Sequence, residues 1–135
     1  TSDTFSDYTN ANVAITPKRN NSKLLIVFDV YQNCRDGDAE ARGKIRIQEV
    51  ITGGATTTVY YPNLNEGESN HGLIYKVAGS GTTDLDWWSP MCYSFTRSIT
   101  STSVHTYKFQ GAIAQAGTTY YRCYGCRMSI MEIAQ

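Results

Sequence analysis

Apolar residues recur along this 135-residue chain with the two-residue period of β-strands, and the best helical pattern is one turn long. The strongest predicted strand spans residues 23–32. Its faces carry Leu24, Ile26, Phe28 and Val30 on one side, and Leu25, Val27 and Tyr31 on the other. Because a strand that is apolar on both faces is covered from two sides, we expect 23–32 to be a central strand.

Shorter strand patterns, separated by turns, fill the rest of the chain. They predict strands at 12–15, 44–51, 56–61, 73–78, 91–99, 104–114, 118–126 and 127–133. Gly53 and Gly54 predict a hairpin turn, and Gly111 and Gly125 each indicate a bulge or a close backbone approach. The predicted turns and loops are 33–43, 62–72 and 79–90, with one helical turn at 38–42. About eight antiparallel strands at this spacing indicate a single all-β sandwich spanning 1–135.

Charge and hydropathy exclude two classes of partner. The 12 basic and 12 acidic residues balance, so there is no global field to attract nucleic acid or an anionic membrane surface. No apolar run approaches the roughly 18 residues that a membrane span needs. We therefore predict no nucleic-acid partner and no membrane insertion.

Residues with catalytic or metal-binding potential are sparse. The two histidines, His71 and His105, lie in no catalytic signature, and we expect both at the surface or half-buried. Asp36, Asp38 and Glu40 have a spacing that can ring a calcium ion, but they depart from the EF-hand pattern and fit a solvated turn. We predict a protein that is not an enzyme and has no catalytic residue, metal or cofactor.

Paired aromatic residues are the most unusual feature of the middle of the chain. Trp87 and Trp88 are adjacent, so in an extended strand they point to opposite faces. Two interpretations stand side by side: packing within or between subunits, and an aromatic platform for a sugar ring flanked by acids. The candidate binding residues are Trp87, Trp88, Asp84, Asp86, His71, Tyr60 and Tyr61.

The cysteines pose a separate question, because Cys123 and Cys126 form a C-x-x-C pair. In an extended strand such residues face opposite sides about 10 Å apart, and a disulfide needs Cα atoms within about 7 Å. The pair therefore bonds only across a tight turn at Gly125. A structural zinc needs four ligands, and Cys34 and Cys92 form no second pair. We expect four free thiols, with Cys126 sharing a face with Tyr124, Met128 and Ile130, and Cys123 on the other.

Several short motifs stand near the two ends of the chain. They are a Thr/Ser-rich lead, Ile15-Thr16-Pro17, Ser22-Lys23 before the long apolar strand, Thr106-Tyr107-Lys108-Phe109-Gln110, and Met131-Glu132-Ile133-Ala134. In this combination they resemble the C-terminal β-sandwich domain of phage tail-fibre and virion structural proteins, especially of marine phages. The resemblance covers both ends of the chain, whereas residues 34–90 match it poorly.

The resemblance implies a fold, an assembly and a location. The fold is a jelly-roll β-sandwich similar to C1q and tumour-necrosis-factor heads, assembled as a homotrimer. The chain is then an excerpt or processed product, the distal part of a longer fibre that ends at its true terminus. Its other partners are a fibre shaft or capsid, on a virion surface assembled in the host cytoplasm. The resemblance transfers no catalytic residue.

The function implied is that of a tail-fibre tip that binds a host surface receptor, a glycan or a protein. Loops 62–72 and 79–90 then carry specificity, because loops on a rigid scaffold carry recognition. The alternative is a capsid decoration or cement protein that stabilises the phage head. A remote alternative is a glycan depolymerase, for which Asp84 and Asp86 are the available acid pair.

The last strand supplies an argument for oligomerisation that does not depend on the resemblance. Its end becomes apolar on both sides at Ile130, Met131 and Ile133. A single sandwich covers only one face of each sheet, so a surplus apolar face needs a partner subunit. We therefore predict these three residues in an oligomer interface.

Overall fold

The computed structural model describes residues 4–36, 40–60, 74–77, 85–113 and 118–133. These residues form nine strands and one short 3₁₀ helix, Thr9–Ala11. The strands are β1 (Ser6–Asp7), β2 (Val13–Ile15), β3 (Lys23–Asp36), β4 (Glu40–Ile51), β5 (Thr56–Tyr60), β6 (Ile74–Val77), β7 (Leu85–Ser98), β8 (His105–Ile113) and β9 (Thr118–Ile133). Among these elements, no helix is long and apolar enough to cross a membrane.

Two antiparallel sheets contain all nine strands, as in a β-sandwich. The larger sheet has the order β1-β8-β4-β5, with β2 also pairing with β8 and β6 with β4. The smaller sheet has the order β7-β3-β9. The predicted hairpin is confirmed, since β4 and β5 pair around a turn in which Gly53 has a φ of +76°.

The central position of β3 is also confirmed, because it pairs with β7 on one side and with β9 on the other. One face of β3 supplies the centre of the core between the sheets. The buried apolar side chains from β3, β4, β8 and β9 are Leu24, Ile26, Phe28, Val30, Ile45, Ile47, Tyr107, Phe109, Ala112 and Met128. The opposite face of β3 belongs to the outer surface of the smaller sheet.

Two of the predicted turn regions, 33–43 and 79–90, are partly strand, and the third, 62–72, lies outside the described residues. β3 continues to Asp36, β4 begins at Glu40, and β7 begins at Leu85. Backbone pairing overrides local polar composition here, since residues 33–36 pair with 85–88 across an unbroken antiparallel register. Pro90 is tolerated because β7 pairs only with β3 and is an edge strand of its sheet. The helical turn predicted at 38–42 is wrong at 40–42, which lie in β4.

The last two predicted strands are one strand, β9, interrupted by a bulge. Asp29 of β3 pairs with Arg127, and Tyr31 pairs with Tyr124. Two residues therefore stand opposite the single Val30. Gly125 has a φ of +57°, a left-handed conformation that glycine adopts without strain, so the predicted bulge is confirmed.

Candidate functional site

Three aromatic side chains cluster on the outer face of the smaller sheet. Trp88 of β7 lies with its ring centroid 5.3 Å from that of Tyr31 on β3 and 5.3 Å from that of Tyr124 on β9. The Trp88 and Tyr31 rings are stacked, with 25° between their planes. The alternation of each strand places all three side chains on this face. We call these three residues the outer aromatic cluster.

The outer aromatic cluster remains accessible although its rings contact one another. Tyr31, Trp88 and Tyr124 are 45%, 42% and 40% exposed. Asn33, the register partner of Trp88 on the same face, is fully buried. Each ring therefore packs against a neighbouring ring and exposes the rest of its surface to solvent.

A shallow concavity adjoins the outer aromatic cluster. Its volume is about 440 Å³, and it is lined by Asp29, Val30, Tyr31, Pro90, Met91, Cys92 and Gly125. The exposed carboxylate of Asp29 supplies hydrogen-bond acceptors, and Arg127 stands beside it in register. Ligand sites combine apolar and aromatic walls with a few polar groups that fix orientation, and this concavity has both.

The residues predicted from the sequence to bind a ligand lie in different parts of the structure. Trp88 is on the exposed outer face, as one of two adjacent tryptophans must be. Tyr60 is half-buried and lies against the core, with its ring 5.1 Å from that of Phe95. Trp87 and Asp86 lie in β7, where only their backbone is described, and His71, Asp84 and Tyr61 lie outside the described residues. Tyr31 and Tyr124 were not among the predicted binding residues, although strand alternation places both side chains on the outer face.

The residues predicted to form an oligomer interface divide between the two faces of β9. Ile130 is half-buried and packs on the core. Met131 and Ile133 are exposed on the outer face, where they pair in register with Leu25 and Lys23 of β3. The outer face therefore carries aromatic residues at one end of β3 and aliphatic residues at the other.

A buried polar cluster joins the two sheets near the aliphatic end. Glu49 of β4 accepts hydrogen bonds from the Tyr107 hydroxyl at 2.7 Å and, through the same oxygen, contacts His105 Nδ1 at 2.9 Å. Its other oxygen accepts from Arg97 Nε and Nη2 at 3.1 and 2.9 Å. Because Arg97 comes from β7, this ion pair connects the smaller sheet to the larger one.

The environment of Glu49 favours its carboxylate form. Burial raises its pKa, but the hydrogen bonds from Tyr107, His105 and Arg97 outweigh burial and hold the pKa below its ordinary value. Glu49, His105 and Tyr107 are all fully buried, so the cluster lies inside the sandwich. The prediction that His105 lies at the surface or half-buried is wrong, because its partner carboxylate lies between the sheets.

The C-x-x-C pair lies at the edge of the sandwich, and the prediction about its faces is wrong in part. Cys126 does face the core with Met128 and Ile130, but Cys123 faces the core too, whereas Tyr124 points outward. The extra residue of the bulge reverses the alternation between Cys123 and Cys126. No disulfide joins Cys92, Cys123 or Cys126 in the structure, and the side chain of Cys34 is not described.

Within the described part of the chain, no group of three or more His, Cys, Asp or Glu residues is arranged to hold a metal ion. Comparison with known proteins yields no match to a family model, to a curated protein or to a solved structure.

Proposed function

We propose that this protein is a non-enzymatic module of a virion surface, a tail-fibre tip that binds a host surface glycan through the outer aromatic cluster. The observation that carries the proposal is the group of three exposed, mutually packed rings beside a concavity with a carboxylate in its wall. The motif resemblance to phage fibre domains supports the biological setting. The jelly-roll class and the C1q-like architecture belong to the proposal.

The chemistry of the outer aromatic cluster suits a sugar ring. Faces of Trp and Tyr rings offer large, rigid apolar surfaces with a polar edge, which match the apolar face and hydroxyl rim of a pyranose. The Asp29 carboxylate accepts hydrogen bonds from hydroxyl groups. Because Trp88 already packs against Tyr31 and Tyr124, little side-chain freedom is lost on binding.

A homotrimer completes the proposal. Met131 and Ile133 offer exposed apolar surface at the opposite end of β3 from Tyr31. Leu25 and Tyr31 are six residues apart, about 20 Å at 3.3 Å per residue, so subunit contact and ligand binding use separate parts of the face. Three copies of a weak site then multiply the avidity for a cell surface.

The test is binding of the purified protein to cells from a panel of marine bacteria. We expect binding to some strains, and a loss of about tenfold in apparent affinity for Trp88→Ala, because one ring contact of about 0.5–1.5 kcal/mol is removed from each of several engaged sites. The matched control is Val104→Ala, which truncates an exposed apolar residue outside the smaller sheet.

Two results decide between the fibre-tip function and its alternatives. Absence of binding to any strain, together with binding to phage heads that lack the protein, would establish the capsid-decoration alternative instead. Shortening of a surface polysaccharide by the isolated protein would establish a depolymerase.

A further inference from the structure

We infer that Cys123 and Cys126 are a dithiol that closes to an intrastrand disulfide when it meets a low-molecular-weight disulfide such as oxidised glutathione. The inference does not depend on the proposed function. It follows from the bulge in β9 and from the access that the edge of the sandwich provides.

The bulge brings the two cysteines within disulfide range. Cys123 pairs in register with Gln32, and the bulge places Cys126 opposite Val30, only two residues along β3. Two strand residues span about 6.6 Å, and disulfides form between Cα atoms about 4.4–6.8 Å apart. Without the bulge, three residues would separate the cysteines by about 10 Å and place them on opposite faces.

Side-chain contacts show that the two thiols already meet. The Cys126 thiol hydrogen-bonds to Cys123, and the Tyr8 hydroxyl hydrogen-bonds to Cys123 as well. Both cysteines pack against the core from the same side. The Cys123 side chain is therefore the common contact of Cys126 and Tyr8.

The pair is reachable from solvent. An open concavity of about 390 Å³ is lined by Cys123, Gly125 and Cys126 on β9 and by 7–11 of the N-terminal segment. Cys123 and Cys126 are each half-buried rather than enclosed. Because this concavity is open, a small disulfide can reach the two thiols from solvent.

The two cysteines have different roles in the reaction. The hydrogen bond to Cys123 and, after it, burial raise the pKa of the Cys126 thiol, so Cys123 is the attacking sulfur. Its thiolate attacks the small disulfide RSSR, which gives a Cys123–SR mixed disulfide and releases one RSH. Cys126 then attacks the Cys123 sulfur, its proton passes to the leaving thiolate, and a second RSH departs. The protein dithiol is oxidised and one RSSR is reduced to two RSH.

The test is peptide mapping after incubation of the whole protein with oxidised glutathione and alkylation of the remaining thiols. Trypsin cleaves after Arg122 and Arg127, so a single peptide, 123–127, carries both cysteines. We expect this peptide to lose two hydrogens and to resist alkylation. Exposed Cys92 has no such partner within the described thiols, and it is expected to be alkylated or glutathionylated. Recovery of 123–127 with both cysteines alkylated would overturn the inference.

Cysteine variants test the order of attack. Cys126→Ser is expected to accumulate the Cys123–glutathione adduct, because the resolving thiol is missing. Cys123→Ser is expected to leave Cys126 less glutathionylated than Cys123 is in the first variant, since burial still disfavours the Cys126 thiolate. Equal labelling of Cys123 and Cys126 in the two variants would contradict the assigned roles.

Gly125 offers a matched pair that tests the bulge itself. Gly125→Asn keeps access to a positive φ, whereas Gly125→Val does not. We expect oxidation at close to the parental rate in Gly125→Asn and about tenfold or more slower oxidation in Gly125→Val. Because no atom lies within 4 Å of a Cβ at this position, the difference reports backbone conformation rather than steric clash. Equal rates in the two variants would show that the bulge does not bring the thiols together.

Discussion

At the scale of single residues, Glu49 is the centre of a polar cluster in the core. Its carboxylate contacts His105, Tyr107 and the partly exposed Arg97, and a hydrogen bond to a charged group contributes about 1.5–3 kcal/mol. We expect Glu49→Gln to lower the free energy of unfolding by that order in urea titrations. Tyr107→Phe, which removes one hydrogen bond to a charged group, is expected to cost about 1.5–3 kcal/mol.

Glu49 also makes the stability of the folded protein depend on pH in the acid range. The pKa of Glu49 in the folded protein lies below its ordinary value of 4.5. The contribution of its carboxylate to the free energy of unfolding is therefore fully present above about pH 4.5. This contribution is lost as the pH falls through the pKa of the folded protein. We expect urea midpoints measured between neutral pH and pH 3 to fall less steeply in Glu49→Gln than in the parent. An equal slope in both proteins would contradict this role.

At the scale of strands, the β4–β5 hairpin depends on the left-handed conformation of Gly53. Nothing lies within 4 Å of a Cβ at this position, so a substitution acts through the backbone alone. Gly53→Ala is expected to destabilise the protein by about 1–2 kcal/mol. Gly53→Asn, which tolerates this conformation, is expected to cost less. Thermal or urea unfolding measures both, and equal losses would rule out a backbone origin.

The strands also show how far the sequence determines this fold. Apolar alternation was sufficient to predict the central strand β3, and the glycine pair was sufficient to predict the turn after β4. Local composition did not predict the strands at 33–36 and 85–90. The polar residues there are held in strands by backbone pairing between segments that are distant in sequence. Gly125 marked the bulge, but only the register with β3 reveals that the bulge turns Cys123 and Cys126 to one side.

The candidate site was harder to predict for the same reason. Trp88 stood out by composition, whereas Tyr31 and Tyr124 did not, since their proximity arises from three strands that are distant in sequence. Likewise, the contact between Glu49 and His105 joins residues whose partnership no local pattern indicates.

At the scale of the whole molecule, the outer face of the smaller sheet divides into an aliphatic and an aromatic end. If the aliphatic end joins subunits, native mass spectrometry will give three times the chain mass of 15.0 kDa. Met131→Arg places a charge on the most exposed apolar residue of β9, and we expect it to yield folded monomers. A monomeric parent protein would contradict the proposed homotrimer.

An array of bacterial surface glycans tests whether the outer aromatic cluster is a glycan-binding site. We expect the parent protein and Val104→Ala to bind the same subset of glycans, and Trp88→Ala to bind them about tenfold more weakly while remaining folded. Binding of Trp88→Ala that equals the parent, or no binding by the parent to any glycan, would contradict the proposed glycan-binding site.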